Sequence, residues 1–403
     1  MESTKPQRLQ RLLYPAALAA FALGLALGFL TPGLFPHIAF LGEVYVSLLK
    51  LIVIPLLMAE IMTGVYAASR TVGARVARTV GLFVVMFVLS FLLMAALTAL
   101  LQPGRGVQLG GEAYTGELAA MTASDFVKSI FPSNIVSAMA SGSILPCILF
   151  AFACGVAAAA VKAERAMAVM EDLRGVFGKV LSYIMVLTPL GVFSLIGSAA
   201  ASYGAALIGV CARYILLAWG GCAAVTLIVL ILPVWIFAKI DPITYIRRVS
   251  RIWLITLSTC SSAATLPNTI RVCNEEFHVP PHITGIVAPL GCTIHMCGGA
   301  VSFCLLGLFT MQMAGTTVTP GMLLYMLLVA TLMNMAAPGI PGGGIVLGAT
   351  YLSILGAPMG FIGLYSGIYR LLDMAYTSVN VTGDISANIL LYRWEQACEK
   401  KNG

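Results

Sequence analysis

The chain has 403 residues, of which 60% are hydrophobic and 10% charged, with a net charge of +7. A soluble domain carries roughly 25% charged residues, so water is not this chain's main solvent. Its Lys and Arg lie in short stretches between apolar runs rather than along one helical face, a pattern that fits the cytoplasmic loops of a membrane protein and excludes nucleic acid as a partner.

The first apolar run, 11–31, follows Lys5, Arg8 and Arg11 with no small-residue cleavage site, and is read as a span rather than a removable signal peptide. Further spans are predicted at 42–68, 76–102, 133–161, 180–202 and 207–238. Runs such as Val80 to Leu101 and Tyr214 to Ala238 reach the roughly 20 residues that cross a hydrocarbon core. None shows the period-2 alternation of a β-barrel, so helices remain as the spanning element. Basic clusters at Arg70–Arg78, Lys162–Lys179, Lys239–Arg251 and Arg393–Lys401 are assigned to the cytoplasm. Segments 32–40 and 103–130 then face outward, with both termini inside. The ten cysteines fall mostly within apolar spans, without zinc-ligand spacing, and are read as buried thiols.

Two segments break the pattern. Residues 241–275 form a hairpin interrupted at Thr259-Cys-Ser-Ser-Ala-Ala-Thr-Leu-Pro267, and 320–357 another, interrupted at Ala336-Ala-Pro-Gly-Ile-Pro-Gly-Gly-Gly344. Broken backbone at membrane depth is tolerated only against protein or a water-filled cavity. Paired interruptions of this kind point to the binding centre of a transporter. Each is followed by one full span carrying polar residues, 283–313 and 359–391, so the layout is an internal repeat. In the last span Asp373, Thr377, Asn380 and Asp384 follow one another at offsets of four, three and four, which places them on one helical face. A stripe with two carboxylates cannot face lipid, where each Asp costs about 2.5–3.5 kcal/mol, so it faces a cavity or a ligand. Glu60, inside the second span, is read either as a proton or anion-path residue or as the partner of a polar neighbour.

On these motifs the chain resembles the dicarboxylate/amino acid:cation symporter family, which includes glutamate carriers, neutral amino-acid exchangers and archaeal aspartate carriers. The likeness covers nearly the whole chain and is most specific at Ser262-Ala-Ala-Thr-Leu-Pro267, Pro289-Leu-Gly291, Gly339-Ile-Pro-Gly342 and Asn380-Val-Thr-Gly-Asp384. It implies an all-α membrane protein of eight transmembrane helices plus two re-entrant helical hairpins, arranged as inverted repeats in an elevator-type homotrimer of the bacterial inner membrane. It also implies a scaffold of residues 1–75 and 106–205, with a moving domain of 76–105 and 206–403.

Transferred position by position, the resemblance implies that Asp373 holds a substrate ammonium, with Thr377 beside it. Asn380 and Ser262 meet an α-carboxylate, with Ser261 next to them, and Ile340 offers backbone at the second hairpin tip. The side-chain end departs from acidic carriers, since Tyr376 stands where they place an arginine and Gly299 where they have a threonine. A guanidinium fork is the usual device for a buried carboxylate, so a neutral amino acid is favoured. Arg370 is the one candidate to replace it.

The cation side departs as well. His295-Met-Cys-Gly-Gly299 replaces an asparagine with His295 and a carboxylate with Cys297, and Phe87, Ser90 and Phe91 stand where the family supplies hydroxyls. One sodium site is therefore dismantled. A second, from Gly291, Asn380, Asp384 and the backbone at His295, remains possible, as does a backbone site near Met296. His295 is either a proton carrier or a neutral buried imidazole. The expected coupling ion is Na+ and/or H+. The competing readings are an acidic amino-acid or C4-dicarboxylate symporter, an uncoupled channel or exchanger, and an intramembrane hydrolase using Ser261 or Ser262 with His295.

Overall fold

The computed structural model describes residues 5–70, 74–107, 131, 133–142, 144–204, 206–334, 343–358 and 361–402, and every regular element among them is helical. Helix α1 (Lys5–Leu30) ends where Pro32 prevents continuation, and the chain turns by 107° into α2 (Phe35–Arg70). Helix α3 spans Ala74–Leu101, and the short α4 (Ile135–Ala140) is capped by Asn134 and precedes α5 (Ile144–Ala160). Helices α6 (Glu164–Val186) and α7 (Thr188–Tyr203) meet at a 50° bend just before Pro189. The predicted span 180–202 thus starts earlier. The basic residues Arg165, Arg174 and Lys179 lie on α6 itself, not in a loop. Helix α8 (Ala206–Val225) continues to Ala238 through two π-helical stretches on either side of Pro233, whose missing N–H shifts the hydrogen-bond register.

Two helix pairs fold back as hairpins. In the first, α9 (Pro242–Thr259) and α10 (Ser262–Glu275) are joined by Cys260 and Ser261. Asp241 caps α9, accepting from the Thr244 amide at 2.9 Å. The hairpin's open end is closed by Arg248, which donates to the Glu276 carbonyl at 2.5 Å, and by Tyr245 packed on Phe277 with centroids 5.4 Å apart. In the second, α13 (Pro320–Asn334) and α14 (Gly343–Ile354) are tied by the Tyr351 hydroxyl donating to the Met326 carbonyl at 3.1 Å. The tip, 335–342, lies outside the described residues and includes Ile340.

The predicted span 283–313 is not one helix. It divides into α11 (Pro281–Ile294) and α12 (Cys297–Met313), because His295 and Met296 have non-helical dihedrals. The last helix, α15 (Ile362–Asn402), is central. It packs against α7 to α12 and α14, while α1 lies along α7, α2 against α5, α6 and α7, and α3 along α12. Among the described residues three stretches are long and apolar enough to cross a membrane: Ala77–Leu101, Leu207–Ala238 and Pro281–Met313. The count rises to five if each bent pair is one span.

Candidate functional site

The polar stripe of α15 is buried throughout, with Asp373 8%, Thr377 4%, Asn380 8% and Asp384 2% exposed. The opposite face of the same helix is polar as well and holds the first hairpin in place. The Tyr245 hydroxyl lies 2.8 Å from the Ser386 Oγ, the Trp253 indole N–H donates to the Thr382 Oγ at 2.9 Å, and Thr256 and Ser378 pair at 2.7 Å. This fixes α9 against α15 and brings the hairpin tip over the stripe.

The break in α11–α12 leaves orphan amides and carbonyls, as any two helix ends do. Its partners come from the site. The Gly298 N–H donates to Asn380 Oδ1 at 2.7 Å, and the Ile294 carbonyl accepts from Asn334 Nδ2 at 3.2 Å. Gly298 is required for this approach, because a Cβ there would lie 2.1 Å from the Tyr376 carbonyl oxygen.

Around these groups is a cavity of about 60 Å³, several times the roughly 10–15 Å³ that one water needs. It is lined by Ser262, Gly299, Asp373, Tyr376, Thr377 and Asn380, all expected from the sequence, and also by Cys260, Met296, Ser302, Phe303, Asn334, Gly344, Leu347 and Tyr369. The Thr377 hydroxyl donates to Asp373 Oδ1 at 3.1 Å. Ser261 does not line the cavity; it caps α10, its Oγ accepting from the Ala264 amide at 3.2 Å. Ser262 follows it in the first turn, where amides and the helix dipole favour an anion. No Lys, Arg or His lines the cavity among the described residues. Arg370 is not among the lining residues; it donates to the Ser258 carbonyl at 2.6 Å at the end of α9.

Asp384 sits one cluster further along. His295 Nδ1 is 3.0 Å from Asp384 Oδ1 and Nε2 is 3.1 Å from the Cys297 Sγ, so both ring nitrogens are engaged and no serine hydroxyl faces the imidazole. Phe83 stacks on that ring at 4.3 Å. Gly291 makes room for the pair, since a Cβ there would be 2.3 Å from Asp384 Oδ1. Gly291, His295 and Asp384 are thus gathered as the sequence suggests, but the Asp384 oxygen is committed to the imidazole and the Asn380 oxygen to the Gly298 amide. Ser90, expected beside this cluster, is there: it is within hydrogen-bonding reach of the Cys297 thiol and donates to the Met86 carbonyl of its own helix at 2.7 Å. Glu60 pairs with Arg174 at 3.4 Å.

The residues missed from sequence are Cys260, Ser302, Asn334 and Tyr369. Cys260 adopts a left-handed conformation (φ 49°) at the hairpin tip, which no residue type in the interruption signals, and Asn334 is a single amide at the end of an apolar helix, without periodicity to mark it.

A buried anionic stripe on a central helix, facing a cavity between two helical hairpins in a chain this apolar, defines a membrane carrier. The chain belongs to the sodium:dicarboxylate symporter family, whose model matches residues 13–394. It is 27% identical over 383 residues to a proton/glutamate-aspartate symporter of Escherichia coli (strain K12), covering 89% of this chain and 86% of the relative. It is also 27% identical to a C4-dicarboxylate transport protein of Anaeromyxobacter sp. (strain K), over 96% and 91% of the two chains. A proton/glutamate-aspartate symporter of Bacillus subtilis (strain 168) matches at 27% over 98% and 97%. The family consists of cation-coupled symporters, so this chain is a transporter and not an enzyme, and the hydrolase reading falls away.

Proposed function

We propose that the chain is a secondary active carrier of neutral amino acids, with the substrate held between the two hairpins and α15. The observation that carries this is the charge inventory of the cavity: Asp373 is its carboxylate, and no cationic side chain lines it among the described residues. An ammonium entering the site meets Asp373 and Thr377. An α-carboxylate meets the free amide N–H groups of Asn380 and the first turn of α10 at Ser262. A second carboxylate would be buried without a cation, which costs several kcal/mol. Gly299 and Tyr376 border the side-chain end of the substrate.

In this reading the protein spans the inner membrane with eight helices, the two hairpins are re-entrant, and both termini are cytoplasmic. Residues 76–105 and 206–403 move as an elevator against a scaffold of 1–75 and 106–205 within a homotrimer. The coupling ion is Na+ or H+, with fewer sodium ions than acidic carriers use, because His295 and Cys297 replace oxygen ligands that a hard cation needs. The site near Gly291, His295, Asn380 and Asp384 takes sodium only when the His295 ring leaves Asp384 Oδ1.

The names of the relatives favour a second reading, an acidic amino-acid or C4-dicarboxylate symporter. Uptake into proteoliposomes separates the two. Serine, alanine and methionine are expected to compete better than aspartate, glutamate or succinate, with sodium varied at fixed pH and pH at fixed sodium. Aspartate winning with steep sodium dependence would overturn the neutral reading, and uptake that never exceeds equilibration would make the protein a channel.

A further inference from the structure

Asn334 closes the apolar helix α13 and is 3% exposed. Its Nδ2 donates to the Ile294 carbonyl at 3.2 Å. That carbonyl has lost its helical partner, because the amide four residues on, at Gly298, is given to Asn380. The side-chain orientation follows, since the flipped amide would set two carbonyl oxygens against each other. Oδ1 is therefore directed the other way, and it has no hydrogen-bond partner. It is buried against Gly299, 2.7 Å from where a Cβ would stand. Asn334 and Gly299 both line the cavity that contains Asp373, Thr377, Asn380 and Ser262.

A buried carbonyl without a donor is an unfavourable arrangement that a ligand can relieve. With the ammonium at Asp373 and the α-carboxylate at Asn380 and Ser262, the substrate's side chain is left with the part of the cavity at Gly299, Phe303, Leu347 and Asn334. We propose that Asn334 Oδ1 accepts a hydrogen bond from the substrate's side chain, so that the carrier selects polar, uncharged amino acids bearing a hydroxyl or carboxamide N–H. This rests on the neutral amino-acid reading and narrows it. An apolar side chain of equal size leaves the oxygen unpaired. A side-chain carboxylate sets its own lone pairs against it. Gly299 belongs to the same device, because its missing side chain is the space through which the oxygen is reached.

The test is calorimetric titration of the full-length protein in nanodiscs with near-isosteric pairs. Threonine is expected to bind at least about tenfold tighter than valine, and serine than alanine, as one buried hydrogen bond provides. Asn334→Ala is expected to bring both ratios to within about threefold of unity. Gly299→Ala, whose methyl group displaces the oxygen, is expected to lower them in the same direction. The wild-type ratios decide the matter even where a variant does not fold. Valine equal to threonine and alanine equal to serine, with asparagine still tighter than aspartate, would overturn the role of Asn334 and leave the neutral reading standing. Aspartate tighter than asparagine would overturn both.

Discussion

Asp373 and Asp384 are the same residue on the same buried face of the same helix, and they have opposite surroundings. Asp373 accepts from Thr377 and opens on a cavity walled by small and neutral groups, Gly299, Ser302 and Asn334 among them. Asp384 is closed by the His295 ring at 3.0 Å, itself covered by Phe83. The difference comes from the break between α11 and α12. Gly299 lines the same cavity as Asp373, whereas an imidazole fills the room opposite Asp384. Two carboxylates of one helix thus differ according to what the neighbouring broken helix places against each.

The largest effect is expected at the open carboxylate. Asp373→Asn removes the anion that a buried ammonium requires, and losing one partner of such a pair costs about 3–5 kcal/mol, or a hundredfold and more in affinity. Calorimetric titration with the preferred amino acid should show no binding. Wild-type affinity in this variant would mean that the ammonium lies elsewhere and that the two carboxylates do not differ in role.

The locked carboxylate can be unlocked. Replacing His295→Asn together with Cys297→Asp restores the oxygen-bearing residues of the family's cation motif beside Asp384, and hard cations are held by oxygens. The double variant is expected to become sodium-responsive. Its melting temperature should rise on exchanging choline chloride for sodium chloride at constant ionic strength, by several degrees more than the parent's. Equal shifts in the two proteins would show that the imidazole is not what excludes the ion.

Between the two carboxylates lies Asn380, whose oxygen supports the broken helix through Gly298 and whose N–H groups meet the α-carboxylate in the proposed function. Asn380→Ala is expected to weaken amino-acid binding about tenfold, one hydrogen bond to a charged group being worth about 1.5–3 kcal/mol before the site relaxes. An amine analogue lacking the α-carboxylate should lose much less, and an equal loss for both would mean that Asn380 acts only through the α12 terminus.

The stripe from Asp373 to Asp384 was legible in sequence because helical offsets of three and four residues survive any tertiary packing. The two hairpins were legible from their interruptions. The break at His295-Met296 was not, because neither residue is Gly or Pro. It exists through amide partners 82 and 40 positions away, on Asn380 and Asn334. Asn334 itself was invisible for a related reason: one amide at the end of an apolar helix has no periodicity, and its meaning depends on Gly299 facing it. Arg370 shows the converse, since a cation three residues before Asp373 looked available to the pocket, yet its guanidinium donates to the Ser258 carbonyl and is not among the residues that line the cavity.

The smallest effect is expected at a third intramembrane carboxylate, Glu60 on α2, which shares neither situation. Its side chain is 17% exposed and faces Arg174 at 3.4 Å, a guanidinium that Glu171 on the preceding turn already holds. The arginine is 39% exposed and shared with the second carboxylate, which weakens the contact. Pairs of this kind contribute about 0–1 kcal/mol. Glu60→Gln keeps the shape and a hydrogen-bonding oxygen for Arg174, and is expected to leave uptake within about twofold of the parent and stability within that range. Arg174→Gln is the control, because it breaks the same pair from the other side. If uptake collapses in Glu60→Gln and survives in Arg174→Gln, then the carboxylate acts on the transported ion, and the contrast between open and locked carboxylates extends beyond α15 to the helices packed around α2.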